Sequence, residues 1–145
     1  MDTLAWKWMV AGGVLWLAAS AHAQVPTQRL GDPGRWDYQN SCASCHGVVG
    51  RGDGPLVPFL VTRPSDLTLL AGRHGGVFPK DRVAAMIDGR GTAAIGTHGT
   101  REMPVWGSVY FDRVKNVGGS DEQAERAAQR RIDDLIDHLE RMQRK

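Results

Sequence analysis

Along the C-terminal stretch SDEQAERAAQRRIDDLIDHLERMQRK, apolar side chains recur at Ala124, Ala128, Ile132, Leu135, Leu139 and Met142, the spacing that lines one face of a helix. Ser120 followed by Gln123 forms a capping-box pattern, acidic residues fill the first turn and basic ones the last, and a long amphipathic helix is predicted. The heptad is too short to argue for a coiled coil. Upstream, GDPGRWDYQNSCASCH predicts a shorter helix that Asp32 caps and Pro33 begins, with Gly34, Tyr38 and Cys42 recurring every four residues on one face. A small residue at Gly34 predicts a close crossing, and the C-terminal helix is the expected partner. Between them, SDLTLLAGR and PKDRVAAMIDGRG predict two further short helices. Ser65 is expected to cap the first, and Gly89 to stop the second after Val83 and Ile87. The remaining connections carry glycine and proline and are not expected to form strands, so the predicted class is all-α.

The first 23 residues follow a different pattern. Lys7 precedes an apolar run from Trp8 to Ala21, and Ala21-His22-Ala23 has the small-x-small form of a signal-peptidase site. The run is shorter than the roughly 20 residues of a spanning helix. A cleaved signal peptide over 1–23 and export to the periplasm are therefore expected, with a retained membrane anchor as the alternative. Cleavage would leave 122 of the 145 residues, a short lead over 24–31 and a single domain over 32–145. It removes one lysine and one aspartate, so the net charge stays at +2. Basic residues are interspersed with acidic ones, and no aromatic-interleaved cationic groove is visible, which argues against a nucleic-acid binder.

The cysteines change the picture most. Cys42 and Cys45 stand in CASCH, with His46 directly after the second. A disulfide or thiol–disulfide redox site would use the two thiols but leaves His46 without a reason. A structural zinc site needs about four protein ligands, and there is no second cysteine pair. C-x-x-C-H suits haem c: each thiol adds to a vinyl group, and the adjacent histidine is carried beneath the iron. One covalently bound haem c is the expected cofactor, with Cys42 and Cys45 as thioethers and His46 as proximal iron ligand.

The second axial position has four candidates: His74, His98, Met86 and Met103. Met86 falls on the apolar face with Val83 and is expected to pack in the core, whereas His74 in GRHGG reads as a turn residue facing solvent. His98 shares an irregular stretch with Met103 in THGTREMPVWG. Met103 is favoured as distal ligand because Pro104 stiffens the chain directly after the thioether and denies a backbone donor. Arg63, Arg73, Arg90 and Arg101 are candidates for haem propionates or a docking rim. Trp106 is expected to pack at the ring, and Trp36 near the helix pair or in solvent.

CASCH at 42–46, Gly34-x-x-x-Tyr38, GDGP at 52–55 and MPVWG at 103–107 together resemble a class I bacterial cytochrome c, over essentially Asp32 to Met142. The resemblance implies a small all-α fold wrapped around one covalently attached haem. It also implies an electron carrier without catalytic residues of its own, with His46 proximal and Met103 distal. Redox proteins are the implied partners, donor and acceptor unspecified, and the runner-up is a haem subunit docked on a membrane oxidase or dehydrogenase. In such proteins a proline carbonyl accepts the proximal histidine's second ring proton, and Pro55 and Pro58 both resemble that position. One departure stands in the last helix: Leu135, Ile136 and Leu139 occupy the place where an aromatic often faces the first helix. Arg90, Arg101, Arg113 and Lys115 flank the distal stretch and are expected to steer an acidic partner. A peroxidase or gas-binding protein would need an open iron face, against which Met103 argues.

Overall fold

The computed structural model describes residues 31–90 and 103–144. The expected signal segment, the lead up to Leu30, and His98 and Arg101 lie outside the described residues. Among the described residues every regular element is helical: α1 (Pro33–Ser41), α2 (Ala43–His46), α3 (Lys80–Asp88), α4 (Trp106–Lys115) and α5 (Asp121–Arg141), with 3-10 turns at Val57–Phe59, Leu67–Leu69 and Gly72–His74. None of these helices is long and apolar enough to cross a membrane.

Helix α5 is the centre of the packing, with α1, α3 and α4 all against it. Its stripe is the one the sequence predicts: Ala124, Ala128, Ile132, Leu135 and Leu139 are buried, and Met142 follows at the C-cap. The capping box forms in full, Ser120 Oγ accepting from the Gln123 amide at 3.2 Å and Gln123 Oε1 accepting from the Ser120 amide at 2.9 Å. At the start of α1 the Asp32 carboxylate accepts from the Arg35 amide at 3.0 Å, with Pro33 at the first turn. The α1–α5 crossing is centred on Gly34, where an added Cβ would stand 1.9 Å from the Asp134 carbonyl oxygen. Tyr38, one turn on, is 1% exposed. The aromatic partner that the α5 sequence lacks at Leu135, Ile136 and Leu139 is supplied by His138, whose ring lies 5.4 Å from that of Tyr38.

Three sequence-based expectations are corrected. SDLTLLAGR forms two 3-10 turns and no α-helix, and its cap is Asp66, which accepts from the Thr68 amide at 2.9 Å; Ser65 does not cap it. Asp66 wins because its carboxylate accepts from both the amide and the hydroxyl of Thr68, and Ser65 contributes its carbonyl elsewhere. On α3, Gly89 stops the helix in the left-handed conformation as expected and Ile87 is buried, but Met86 is 41% exposed and is not a core residue. Helix α4 was not expected. Its sequence WGSVYFDRVK is rich in aromatic and β-branched residues and no side chain caps it, so packing of the buried Gly107 and Tyr110 holds it in place of intrinsic propensity.

A polar clasp joins the outer ends of α1 and α5. Asp32 accepts from Arg141 Nη2 at 2.5 Å, and His138 Nδ1 stands 3.4 Å from the same carboxylate oxygen. Burial pushes the Asp32 pKa upward, but the Arg35 amide, the Arg141 guanidinium and His138 outweigh it, and the net shift is below 3.8. Burial lowers His138 below 6.5, against a smaller opposing pull from Asp32. In both cases the unfolded chain takes up the proton first. Stability is therefore fully present above 6.5, falls as the unfolded histidine protonates, and falls again as pH drops below 3.8 through the folded Asp32 value. Urea midpoints measured from pH 7 to 3 should show both steps, with His138→Gln flattening the upper one and Asp32→Asn the lower. Midpoints that rise on acidification would contradict this.

Candidate functional site

The turn between α1 and α2 carries the chemistry. Cys42 closes α1, its amide bonded to the Tyr38 carbonyl at 2.9 Å, and the next turn brings Cys45 and His46 round on amide bonds to the Cys42 carbonyl at 3.1 and 2.9 Å. Both thiols are unpaired and partly buried. Burial, then the Asp37 carboxylate and Cys45, push the Cys42 pKa up to about 12, so this thiol is held neutral. Thiol–disulfide exchange sites are built the other way, with a depressed attacking thiol.

His46 is fixed through its Nδ1, which lies 3.1 Å from the Ser65 carbonyl oxygen. A carbonyl only accepts, so Nδ1 carries the proton and the Nε2 lone pair is left as donor to a metal. Burial lowers the ring's pKa, partly opposed by the Ser65 bond, which keeps the imidazole neutral. Neither Pro55 nor Pro58 supplies this acceptor. The GDGP loop folds back onto α2 instead, with Gly54 and Leu56 amides bonded to the Cys45 and Ser44 carbonyls at 3.1 and 2.9 Å. The segment 63–65 then runs beside Gly52, whose φ of +70° and missing Cβ let the Pro64 carbonyl oxygen come within 2.2 Å of the place a side chain would start. Arg63 Nε holds the pair together by donating to the Gly52 carbonyl at 3.2 Å.

That segment is itself anchored. The Leu67 amide bonds the Gly50 carbonyl at 2.7 Å. From the C-terminus, Gln143 bonds the Leu67 carbonyl at 2.8 Å and the Ala71 amide at 2.9 Å, and Arg144 bonds Thr68. On the other side Tyr38 donates to the Gly47 carbonyl at 2.6 Å. The histidine is thus oriented by Ser65, a residue whose side chain gave no signal of this role.

Met103 is partly buried and packs against the core in company with Leu67, Leu70, Ala71, Val83, Ala84 and Trp106. It stands three residues before the first turn of α4, so that helix fixes the strip of chain that carries the thioether. Trp106 also meets Tyr110, with ring centroids 5.8 Å apart. His74 is exposed, its Nδ1 2.8 Å from the Leu70 carbonyl, as expected of a turn residue. Trp36 is 59% exposed. Two free thiols on one turn, an imidazole with Nε2 available and an apolar cluster against which Cys42 packs are a donor set that fits a covalently attached haem. Among the described residues no three His, Cys, Asp or Glu side chains converge as a protein-only metal site.

Among the described residues the members of the expected cationic rim do not stand as a unit, Arg101 lying outside them. Arg90 bonds Glu125 at 2.7 and 2.9 Å and Asp88 at 2.6 Å, tying the end of α3 to α5, and Lys115 pairs with Asp121 at 2.7 Å. These charges are answered locally because α5 presents acidic side chains opposite them. Arg113 instead lies over the Tyr110 ring, 5.4 Å from its centroid. Arg73 is exposed. Comparison with known proteins finds no family model, no curated protein and no solved structure that matches this chain.

Proposed function

We propose that the chain is an exported, monohaem electron carrier of the class I cytochrome c type, whose fold that family describes more finely than the all-α architecture alone. The observation that carries this reading is His46 held by the Ser65 carbonyl through Nδ1, one residue beyond two unpaired cysteines. A bound haem supplies a one-electron ferrous–ferric couple at low-spin iron. Cys42 and Cys45 would hold its edge, His46 would offer Nε2 and Met103 its thioether. Met103 and Trp106 pack against the apolar core cluster, and the Ser65 carbonyl holds the imidazole by its Nδ1 proton, which leaves Nε2 as the donor.

Attachment is tested by mass. Denaturing acid extraction should leave one haem on the polypeptide, on a chain that begins after Ala23; an extractable or absent cofactor would sink the reading. Met103→Ala should then abolish the sulfur–iron charge-transfer band of the ferric protein, lower the potential and admit carbon monoxide to the ferrous form. A wild type that lacks that band would remove Met103 from the assignment.

A second reading, a haem subunit permanently docked on a membrane dehydrogenase or oxidase, is favoured by one feature. The loop after the motif exposes Val48, Val49, Leu56, Phe59 and Val61, the last two at 82% and 86%. Recovery in a membrane-solubilised complex, and not as free periplasmic protein, would decide for it.

A further inference from the structure

A groove of about 270 Å³ runs between α4 and α5, lined by Tyr110 and Arg113 on one side and by Arg130, Arg131 and Asp134 on the other. Arg131 is answered by Asp37 behind it. Arg113 and Arg130 are exposed and make no ion pair among the described residues, so the groove keeps a positive excess. The Tyr110 ring lies between two of these cations, 5.4 Å from the Arg113 guanidinium carbon and 4.7 Å from that of Arg131. Tyr110 also reaches inward. It is 1% exposed, its hydroxyl is buried, and the Ser41 hydroxyl lies near it without completing a hydrogen bond of normal geometry. Asp37 and Cys42 are both close enough to bear on that hydroxyl electrostatically, and Cys42 packs against the same core cluster. One aromatic side chain thus spans from the surroundings of the first attachment cysteine to a cationic groove.

We propose that this groove docks an acidic redox protein, with a partner carboxylate seated between Arg113 and Arg130 over Tyr110, whose ring belongs to the core cluster that Cys42 packs against. The proposal rests on the electron-carrier reading. With haem bound, the residues of this groove would hold the partner while one electron passed to its one-electron acceptor, and no bond or proton would change hands. Arginine forks suit carboxylates, and two of them here make no ion pair among the described residues, on a rim whose ring contact pre-orders Arg113.

The test uses the full-length, haem-loaded, reduced protein in stopped-flow mixing with hexacyanoferrate(III) and, separately, with a cationic cobalt(III) tris-phenanthroline complex. Arg113→Glu/Arg130→Glu should slow the anionic oxidant about ten-fold at low salt and speed the cationic one, with both effects fading once the screening length falls to about 8 Å. Poly-glutamate should inhibit oxidation of the wild type but not of this variant. Arg51→Glu/Arg82→Glu carries the same charge change at two exposed arginines outside the groove and should do much less. If it does as much, or if poly-glutamate inhibits both proteins equally, the groove is not the docking site. A normal haem spectrum accompanying either result overturns the groove alone, whereas a preparation without covalent haem overturns the electron-carrier reading together with it.

Discussion

Gly34→Ala should destabilise the protein by ~3 kcal/mol or more, at or beyond the upper end of ordinary overpacking. The added Cβ would stand 1.9 Å from the Asp134 carbonyl oxygen, 2.6 Å from its carbon and 3.0 Å from His138 Cβ. The first two are backbone atoms inside α5, which cannot swing aside as a flexible side chain can. Helix α1 must lift away, and it takes with it the buried Tyr38 ring and the Tyr38 bond that braces Gly47 just beyond His46. The effect should therefore appear twice, as a lower urea midpoint and as a lower yield of haem-attached chain. Gly54→Ala, which meets backbone of α2 at 2.4 Å, is the matching test on the other side of the motif. A Gly34→Ala protein with a wild-type midpoint would show that α1 and α5 do not cross where described.

What the sequence made legible was the short-range chemistry. Caps at Asp32 and Ser120, the stop at Gly89, the α5 stripe and the Gly34 face each depend on residues a few positions apart, and each is found in the fold. What it hid depends on distant parts of the chain. Ser65 serves His46 from 19 residues away through a backbone carbonyl, a group every residue owns, so no side-chain type could single it out. Helix α4 reads poorly because Gly107 lies within it, yet that glycine is where the Asp88–Arg90 pair passes: a Cβ there would meet Asp88 Oδ1 at 1.6 Å. His138 escaped notice because the ring that meets Tyr38 belongs to a residue counted as polar. Arginines read as a free rim were scored by proximity in sequence, whereas their partners, such as Glu125 for Arg90, come from another helix.

The largest electrostatic effect is expected at Arg131. Its Nε donates to Asp37 Oδ2 at 2.9 Å and its Nη2 to the other carboxylate oxygen, while its guanidinium carbon lies 4.7 Å from the Tyr110 ring centroid and 5.9 Å from that of Trp36. Asp37 is only 3% exposed, and Arg131 is its ion-pair partner among the described residues. Arg131→Leu would leave a buried carboxylate unpaired and should cost about 3–5 kcal/mol, whereas Asp37→Leu/Arg131→Leu should recover most of it because no charge remains to be desolvated. Arg131→Lys should fall between, since a single ammonium neither engages both oxygens with a fixed fork nor stacks as a plane on Tyr110. Urea unfolding of the three variants checks the order, and a double variant no better than Arg131→Leu would mean that packing, not charge, is what Arg131 contributes. The same series reads the neighbourhood of Cys42, because Asp37 bears on that thiol. If haem is attached as proposed, an unanswered carboxylate there would favour the more positive ferric state, so Arg131→Leu should lower the reduction potential and the double variant should bring it back. Loss of packing alone has no reason to reverse in that way.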